Sequence, residues 1–360
     1  MRLLLFLLIT SLSVSAQLKG TITDVDNQPI PYVNIYIENS YKGTTSNENG
    51  DYELALSKPG TYTVVFQFLG YKTQTNYIDI KEFPYVIDIT LLEENISLSE
   101  VVINANENPA NRIIRAAIKN RKSQIEKINS FSADFYSKGL IRIDSLPEKF
   151  MGLEINVNIG LDSTRSGIIY LSETISKIKY EKPDKLTEKV IASKVSGDSN
   201  GFSFNSALDV NYNFYNNTIK INSAIISPIS DYAFKYYRYK LEGVFYDDSG
   251  NLINKIKVIP RRENDPVFKG SIYIVEDQWA LFGLELQVNG SQIQLPIADS
   301  IFIKQNLTYD KNEDYWIIRS QSIGFKFGFL GFNGDGGFVA NYSNYTLNPE
   351  FEKDEFSNEI

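Results

Sequence analysis

The sequence predicts a mainly β protein with an N-terminal β-sandwich, a linking α-helix and then a curved antiparallel sheet. Three observations predict this fold class. The chain has 360 residues, which is long enough for two or three hydrophobic cores. It contains 23 Tyr and 22 Phe, residue types that favour strands. Short apolar segments that alternate with polar residues recur along most of the chain, and Gly, Pro and Asn separate them.

The composition excludes several classes of function. There is no cysteine, so disulfides, thiol nucleophiles and cysteine-based zinc sites are excluded. There is also no histidine, which removes the commonest general base at neutral pH and the Ser-His-Asp triad. The net charge of −8 disfavours nucleic acid, which selects basic surfaces. We therefore predict a non-enzymatic protein with no catalytic, metal-binding or cofactor-binding residues and no nucleic-acid partner.

Residues 1–16 are predicted to be a signal peptide. Arg2 supplies a positive charge, and the apolar run from Leu3 to Ile9 follows it. That run is too short to span a membrane, which takes about 20 residues. Small residues precede the cleavage point that is expected after Ala16. The protein is therefore expected to be exported.

Residues 17–105 are predicted to form the β-sandwich. Polarity alternates along the segment from Pro31 to Glu38, so that Val33, Ile35 and Ile37 fall on one face. Similar short strands recur at roughly 8–12-residue spacing, with turn residues between them, as in β-sandwiches.

Four blocks of this segment resemble the carboxypeptidase regulatory-like domain, a small prealbumin-like sandwich. The resemblance implies a fold and not an activity, because that domain carries none of the catalytic residues of carboxypeptidases. Carboxypeptidase activity is therefore not expected. The blocks are Gly20–Asp24, Pro29–Ile35, Gly43–Tyr52 and Gly60–Tyr71.

The stretch G-T-T-S-N-E-N-G-D-Y-E-L, from Gly43 to Leu54, could be a calcium loop or a turn. Amide and acidic side chains alternate from Asn47 onwards, as they do at the start of a calcium loop. That loop also needs a glycine at its sixth position and a glutamate at its twelfth. Tyr52 and Lys58 occupy those positions here. The stretch therefore predicts a turn, with Gly50 supplying a positive φ.

Residues 106–130 are predicted to form a linking amphipathic helix, with Pro109 in its first turn. The helical segment runs to Lys127, and isoleucine and alanine side chains form an apolar stripe along it. Basic residues cover much of the remaining surface. A basic face can bind anionic lipid or nucleic acid, but a solvated outer face is the commoner role, and the acidic balance of the chain further disfavours nucleic acid. The stripe comprises Ile113, Ile114, Ala117, Ile118 and Ile125, and the basic face comprises Arg112, Arg115, Lys119, Arg121 and Lys122.

The stretch L-S-E-V-V-I-N-A-N-E-N, from Leu98 to Asn108, precedes this helix. It resembles the segment that leads into the plug domain of TonB-dependent outer-membrane transporters. The ordinary alternative is a strand and linker that close the sandwich, and the helix that follows favours this alternative.

Residues 131–347 are predicted to form an antiparallel β domain. Alternating strands follow one another as a meander, with hairpin turns at Asp247–Asn251 and Val275–Trp279. The sequence from Val195 to Ser230 is irregular. Residues 348–360 form an acidic tail that looks like an interior segment cut short.

Parts of this domain, and the start of the helix before it, resemble a family of unknown function found in Gram-negative envelopes. Members place this segment directly after the regulatory-like sandwich and continue into a larger part expected to form an outer-membrane barrel. The meander also resembles the half-barrel of lipoprotein carriers, which implies an apolar groove. The matching segments are Glu107–Arg121, Tyr239–Asp248, Ile253–Arg262, Phe268–Leu286 and Tyr315–Ser320.

Paired carboxylates are the acid–base groups that this composition leaves available. Asp247 and Asp248 lie in one predicted turn, and Glu276 and Asp277 lie in another. A third pair is Glu93 and Glu94, at the edge of the sandwich. Nothing in the sequence brings two pairs together in a cleft, and solvated acids are common in turns.

The glycine-rich stretch Gly328–Phe338 lacks the G-K-[ST] ending of a phosphate loop. It predicts a hairpin or a bulged pair of strands. The many aromatic and aliphatic side chains of the antiparallel β domain could line a cavity for a lipid-like ligand or fill an ordinary core.

The favoured function is a non-enzymatic exported envelope protein, a periplasmic binding or assembly module of a larger outer-membrane protein. Its expected location is the periplasm or the periplasmic face of the outer membrane of a Gram-negative cell. Its possible partners are an outer-membrane component or an apolar, lipid-like ligand. The alternatives are a lipid or lipoprotein carrier with an apolar groove, the N-terminal part of a TonB-dependent-type transporter, and a carboxylate-dependent hydrolase.

Overall fold

The computed structural model describes residues 17–356, except residues 39, 41, 48, 95, 97–107, 148, 151–152, 155–160, 198–205, 211 and 330. The predicted signal peptide, residues 1–16, lies outside the described residues, as does most of the stretch Leu98–Asn108. Within the described part, no helix is both long enough and apolar enough to cross a membrane.

The N-terminal domain consists of short strands arranged in two four-stranded sheets. The strands are β1 (Gln17–Thr23), β2 (Asn34–Ile37), β3 (Gly43–Thr45), β4 (Asp51–Ala55), β5 (Gly60–Gln67), β6 (Gln74–Ile80), β7 (Tyr85–Val86) and β8 (Ile89–Thr90). In one sheet β1 pairs antiparallel with β4 and parallel with β7 and β8. In the other sheet the order is β3-β2-β5-β6, and all neighbours are antiparallel.

The core of this domain contains the apolar face that the alternation predicts. Val33, Ile35 and Ile37 are buried in one cluster with side chains from the other strands. The opposite side of β2 is covered as well. Asn34 is only 3% exposed, and its side chain donates a hydrogen bond to Ser320 Oγ in the second domain at 2.5 Å.

Helix α1 (Pro109–Lys127) follows and coincides with the predicted helical segment. The Asn108 side chain caps it by accepting a hydrogen bond from the Ala110 backbone N–H at 3.0 Å. The buried side chains of the helix include three of the predicted stripe, Ile113, Ile114 and Ala117. Ile118 and Ile125 pack partly buried against the same core.

The second domain contains a ten-stranded sheet. Its elements are β9 (Ser130–Ser145), β10 (Lys149–Phe150), β11 (Leu153–Glu154), β12 (Gly167–Glu181), β13 (Lys185–Gly197), β14 (Thr218–Lys220), β15 (Ala224–Ile226), α2 (Ala233–Tyr236), β16 (Tyr237–Tyr246), β17 (Leu252–Pro260), β18 (Lys269–Val275), β19 (Leu281–Asn289), β20 (Ala298–Asp310), β21 (Tyr315–Phe329) and β22 (Phe332–Leu347). The large sheet has the order β13-β12-β9-β22-β21-β20-β19-β18-β17-β16, whereas β10–β11 and β14–β15 form separate hairpins.

The strands from β16 to β22 form the predicted meander, and the predicted hairpin turns join β16 to β17 and β18 to β19. The meander closes on the start of the domain, because β22 pairs antiparallel with β9. Helix α1 crosses from β16, where Asn108 Nδ2 donates to the Tyr239 carbonyl, to the β20–β21 turn, where Lys127 contacts Asp314. We call the sheet face that carries α1 the inner face.

The described residues of the irregular segment, from Ser206 to Ser230, also pack on the inner face and include the short hairpin β14–β15. Its backbone carbonyls at Val210 and Tyr212 accept hydrogen bonds from the side chains of Gln321 and Gln305, each at 2.7 Å. Its side chains at Val210, Phe214, Tyr215, Ile219 and Ile225 are buried in the core. Loops and a short hairpin therefore supply much of the packing on this face, and Ile219 and Ile225 lie in the two strands of that hairpin.

The sandwich packs on the outer face of the same sheet. The Arg319 guanidinium lies 4.1 Å from the centre of the Tyr36 ring, and Lys304 Nζ lies 4.2 Å from that of Phe68. Alternation along β20 explains why the two faces have different partners, since Lys304 contacts the sandwich whereas its neighbour Gln305 contacts the irregular segment.

Candidate functional site

A pocket of about 490 Å³ opens into the inner side of the second domain. It lies between the C-terminal end of α1, the segment Tyr212–Asn216 and the strands β9, β12, β21 and β22. Aromatic rings dominate its walls, and Ile125 of the helix closes one side. The rings include Phe131, Tyr180, Tyr315, Tyr342 and Tyr345.

Two of these tyrosines face the pocket because β22 is irregular near its end. Residues three apart in a regular strand point to opposite faces. Here the register of β22 against β9 shifts between Ser343 and Thr346, and Asn344 adopts a left-handed backbone with φ 50°. As a result Tyr342 and Tyr345 lie side by side, with ring centres 6.3 Å apart and an interplanar angle of 24°.

The rings form a continuous aromatic surface. Phe131 stacks on Tyr180 with ring centres 5.1 Å apart and lies 5.6 Å from Tyr345. Two of the hydroxyl groups are bonded within the protein: Tyr345 donates to the Ile318 carbonyl at 2.8 Å, and Tyr180 donates to the Pro183 carbonyl at 3.0 Å. The pocket therefore presents ring faces, which suit apolar ligands.

The electrostatics of the pocket also favour an uncharged ligand. Burial raises the pKa of Tyr315 to about 12, and it raises the pKa of Tyr345 well above the usual range. Both hydroxyls are therefore neutral at physiological pH. Among the described residues that line the pocket, only Lys182 and Asp184 are charged.

Most of the remaining interior is filled. Phe135, Tyr237, Phe268 and Phe338 are among the largest fully buried side chains. The aromatic pocket is thus a local space at one end of a packed core, and the inner face is not an open groove along its whole length.

A second pocket, of about 280 Å³, lies between the two domains. It brings together acids that are far apart in the sequence: Glu94 of the sandwich and both acids of the β16–β17 turn, Asp247 and Asp248. Burial raises the pKa of Glu94, and the charge of Asp248 raises it further. No pattern in the sequence indicates this proximity, because it arises from the packing of one domain on the other.

Three members of the acidic pairs are engaged in contacts that stabilise the structure. Glu276 accepts from Arg112 at 2.8 Å and from Asn254 Nδ2 at 2.8 Å. Glu93 lies within 3.5 Å of the Tyr71 hydroxyl. Asp247 itself holds its turn, since its Oδ1 accepts from the backbone N–H groups of Ser249 and Asn251.

The basic face of α1 is only partly solvated, which corrects the expectation from the sequence. Arg121 is 4% exposed, pairs with Asp231 at 2.8 Å and donates to Asn217 Oδ1 at 2.6 Å. The reason is that the helix lies under the irregular segment as well as on the sheet, so more than one side of it is covered.

The stretch from Gly43 to Leu54 is a turn. Asn47 Oδ1 accepts from the backbone N–H groups of Asn49 and Asp51, each at 2.9 Å. Gly50 has φ 78°, and a Cβ there would lie 2.4 Å from the Ile22 carbonyl oxygen. Across the described ranges, no group of three or more acidic residues is placed to hold a metal ion.

The glycine-rich stretch Gly328–Phe338 joins β21 to β22 as a hairpin. Its glycines make room for aromatic rings: a Cβ at Gly334 would lie 2.5 Å from the Phe327 ring, and one at Gly336 would lie 2.2 Å from the Phe325 ring.

Two family models match the chain. One is described as a family of unknown function (DUF5686) and matches residues 113–345. The other is described as a CarboxypepD_reg-like domain and matches residues 18–103. Neither description states an activity.

One curated relative is a TonB-dependent receptor, P39, from Formosa agariphila. It is 36% identical over 95 residues, which are 26% of this chain and 9% of the receptor. The chain therefore matches only about a tenth of that protein.

Two solved structures are similar to the chain at a low level. A putative outer membrane lipoprotein-sorting protein domain from Vibrio parahaemolyticus is 9% identical, with 69% of this chain and 97% of that chain covered and a TM-score of 0.29. A LolA superfamily protein from Nitrosomonas europaea is 8% identical, with 69% and 98% covered and a TM-score of 0.26. TM-scores this low carry no argument about function.

Proposed function

The chain belongs to the DUF5686 family of unknown function, whose model matches residues 113–345, and we propose that it is a non-enzymatic envelope module whose second domain binds an apolar ligand. The aromatic pocket is the observation that carries this proposal. Its volume of about 490 Å³ falls within the range of about 300–1,000 Å³ typical of small-molecule sites. Its walls offer stacked rings and aliphatic side chains with few charges.

A hydrolase is not proposed. The acids that converge between the domains include Asp247, whose carboxylate is engaged by its own turn. The aromatic pocket contains no pair of carboxylates among its described lining residues. Both observations support binding rather than acid–base catalysis.

Export and a place at the periplasmic face of the outer membrane are part of the proposal. The signal-like N-terminus in the sequence and the match to a part of a TonB-dependent receptor support it. Fractionation of the source cells tests this point: the mature chain is expected with the envelope, and its recovery from the cytoplasm would contradict the location.

The ligand proposal is tested with N-phenyl-1-naphthylamine, an apolar dye that fluoresces more strongly in apolar sites. The intact chain is expected to bind one dye molecule with saturable fluorescence. Ile125→Trp places a larger side chain at the pocket wall, so that less space is left for the dye. Overpacking of this kind typically lowers folding stability by about 1–3 kcal/mol. Dye affinity is expected to fall about fivefold or more.

Ile118→Trp is the matched control, because Ile118 lies on the same helix, packs partly buried against the same core and does not line the pocket. Circular dichroism checks that both variants fold. Equal dye affinity in the two variants, or no saturable binding by the parent chain, would reject the pocket as the site. Native mass spectrometry of gently extracted protein is expected to show a bound apolar molecule.

A further inference from the structure

Strand β13 is an open edge of the ten-stranded sheet. It is the terminal strand of the sheet and pairs on one side only, with β12. Every residue from Lys189 to Ser196 is exposed. The backbone groups of this stretch that point away from β12 have no hydrogen-bond partner among the described residues. A row of such groups is what an added strand pairs with.

The opposite edge of the same sheet, β16, is covered. The Tyr239 carbonyl accepts a hydrogen bond from Asn108 Nδ2 at 2.9 Å, and the Tyr237 carbonyl accepts one from Arg261 Nε at 3.1 Å. Helix α1 also packs against this strand. The sheet therefore has one covered edge and one open edge, and the open one belongs to a strand of 13 residues.

The inner side of the open edge is apolar. Val190 lies directly opposite Ser176 of β12. Val195 lies directly opposite Ser172 of the same strand. Both serines are buried in the inner face, and residues opposite each other in a sheet point to the same face. The two valines therefore point to the inner side, where their place at the edge leaves them 54% and 42% exposed.

The outer side of the open edge is basic. Lys189 lies opposite Lys177 of β12, and Lys194 lies opposite Glu173. Neither Lys189 nor Lys194 forms an ion pair with the described residues. The carboxylate of Glu173 already accepts a hydrogen bond from the Tyr136 hydroxyl at 2.8 Å. Because the chain carries a net charge of −8, these two lysines form a local basic feature on an acidic protein.

Two other occupants fit this edge poorly. A second copy would bring the lysines of two β13 strands close together, and like charges across strands are destabilising. The register of β13 also shifts at Ile191, which has no partner in β12. Bulges and lysines on edge strands oppose the pairing of copies. An anionic lipid surface would attract the lysines, but it offers the free backbone groups no partner.

We propose that β13 is a docking edge that binds an extended acidic segment of a partner protein by strand addition. Side chains alternate along an added strand, so its aliphatic residues meet Val190 and Val195 and its acidic residues meet Lys189 and Lys194. A flexible segment can follow the bend at Ile191, whereas a strand already fixed in a second copy cannot. No described residue of β13 lines the aromatic pocket, so this inference is independent of the apolar ligand proposed there.

The test is fluorescence anisotropy of a labelled nine-residue peptide in which valine and aspartate alternate, titrated with the intact chain. Saturable binding of one peptide per chain is expected. A peptide of the same composition with its valines and aspartates in separate blocks, and one with lysine in place of aspartate, are each expected to bind at least tenfold more weakly. Hydrogen exchange should show new protection of the backbone from Lys189 to Ser196.

Lys194→Glu reverses one charge of the outer side and is expected to weaken binding of the alternating peptide about threefold or more. Lys220→Glu is the matched control, because it makes the same change at an exposed position on β14 and is expected to leave the affinity unchanged. Circular dichroism checks that both variants fold.

Three results would overturn the proposal directly. They are equal weakening by Lys194→Glu and Lys220→Glu, equal affinity for the block peptide, and new exchange protection elsewhere than on β13. A dimer of the chain that the alternating peptide does not dissociate would assign the edge to a second copy. Binding of phosphatidylglycerol vesicles that the peptide does not displace would assign it to a lipid surface. Either assignment would also overturn the proposal.

Discussion

Glu94 is a residue whose charge opposes folding. Burial and the neighbouring Asp248 raise its pKa in the folded chain above the value of an unfolded glutamate. The folded state therefore binds the proton more tightly, and stability falls as the pH rises from the ordinary carboxyl pKa through the raised value. Above that window the whole penalty is present.

Glu94→Gln removes this penalty and is expected to raise the melting temperature at neutral pH. The gain should be below about 1 kcal/mol, because the side chain is partly exposed. The gain should vanish at acidic pH, where the carboxyl is protonated in both states. Thermal melts across pH measure this gain in stability. Asp79→Asn is the control, because it removes the same charge from an exposed position on β6. A lower melting temperature for Glu94→Gln at neutral pH would contradict this assignment.

Residue-level features were predictable where they are local. The turn at Asn47–Gly50 follows from short-range chemistry, since an amide side chain bonds to backbone two and four residues ahead and glycine supplies the positive φ. The approach of Glu94 to Asp248 was not predictable, because more than a hundred residues separate them and only domain packing joins them.

Helix α1 shows the same division at the scale of an element. Its existence follows from Pro109 and the spacing of its apolar residues. The burial of Arg121 does not, because its partners Asp231 and Asn217 come from a segment whose sequence has no periodicity. Periodicity shows which face of a helix is apolar, but it does not show that a distant segment of the chain covers a basic residue on another face.

The bulge near the end of β22 is an element-scale feature that shapes the aromatic pocket. Asn344 holds the left-handed backbone that lets Tyr342 and Tyr345 face the same side. Asn344→Val places a β-branched residue at φ 50°, which is expected to destabilise the chain by about 1–2 kcal/mol. It should also weaken binding of N-phenyl-1-naphthylamine, because the second tyrosine loses its position.

Asn344→Gly is the matched variant, because glycine adopts this backbone without strain. It is expected to keep dye affinity close to that of the parent chain, with denaturant melts reporting stability. Similar dye affinity in the valine and glycine variants would show that the bulge does not position the tyrosines.

At the scale of the molecule, the mainly β fold and the order of its parts were predictable, since alternation and turn residues mark most strands. The pairing of β22 with β9 was not, because alternating strands do not specify which edges meet. The packing of the sandwich on the outer face was not predictable either. The side of β2 that contacts the second domain carries Asn34 and Tyr36. Polar residues at these alternate positions are equally typical of a strand face that is exposed to solvent.

Contact between the domains rests in part on Arg319 of β21 and Tyr36 of β2, whose guanidinium and ring centre lie 4.1 Å apart. A cation–π contact of this kind contributes about 0.5–2 kcal/mol, more when it is removed from water. A double-mutant cycle with Tyr36→Ala and Arg319→Ala is expected to give a coupling free energy in this range, measured by denaturant unfolding. Arg319→Ala also removes the bond to the Tyr342 carbonyl, and the cycle cancels that effect because it is present in both arms.

Tyr62 provides the matched control, since it packs partly buried against the core of the sandwich and does not line the interdomain pocket. The cycle of Tyr62→Ala with Arg319→Ala is expected to be additive within about 0.5 kcal/mol, as for distant sites. Coupling of the same size in both cycles would mean that Arg319 acts through general destabilisation. Zero coupling between Tyr36 and Arg319 would mean that this contact does not help to hold the sandwich on the outer face.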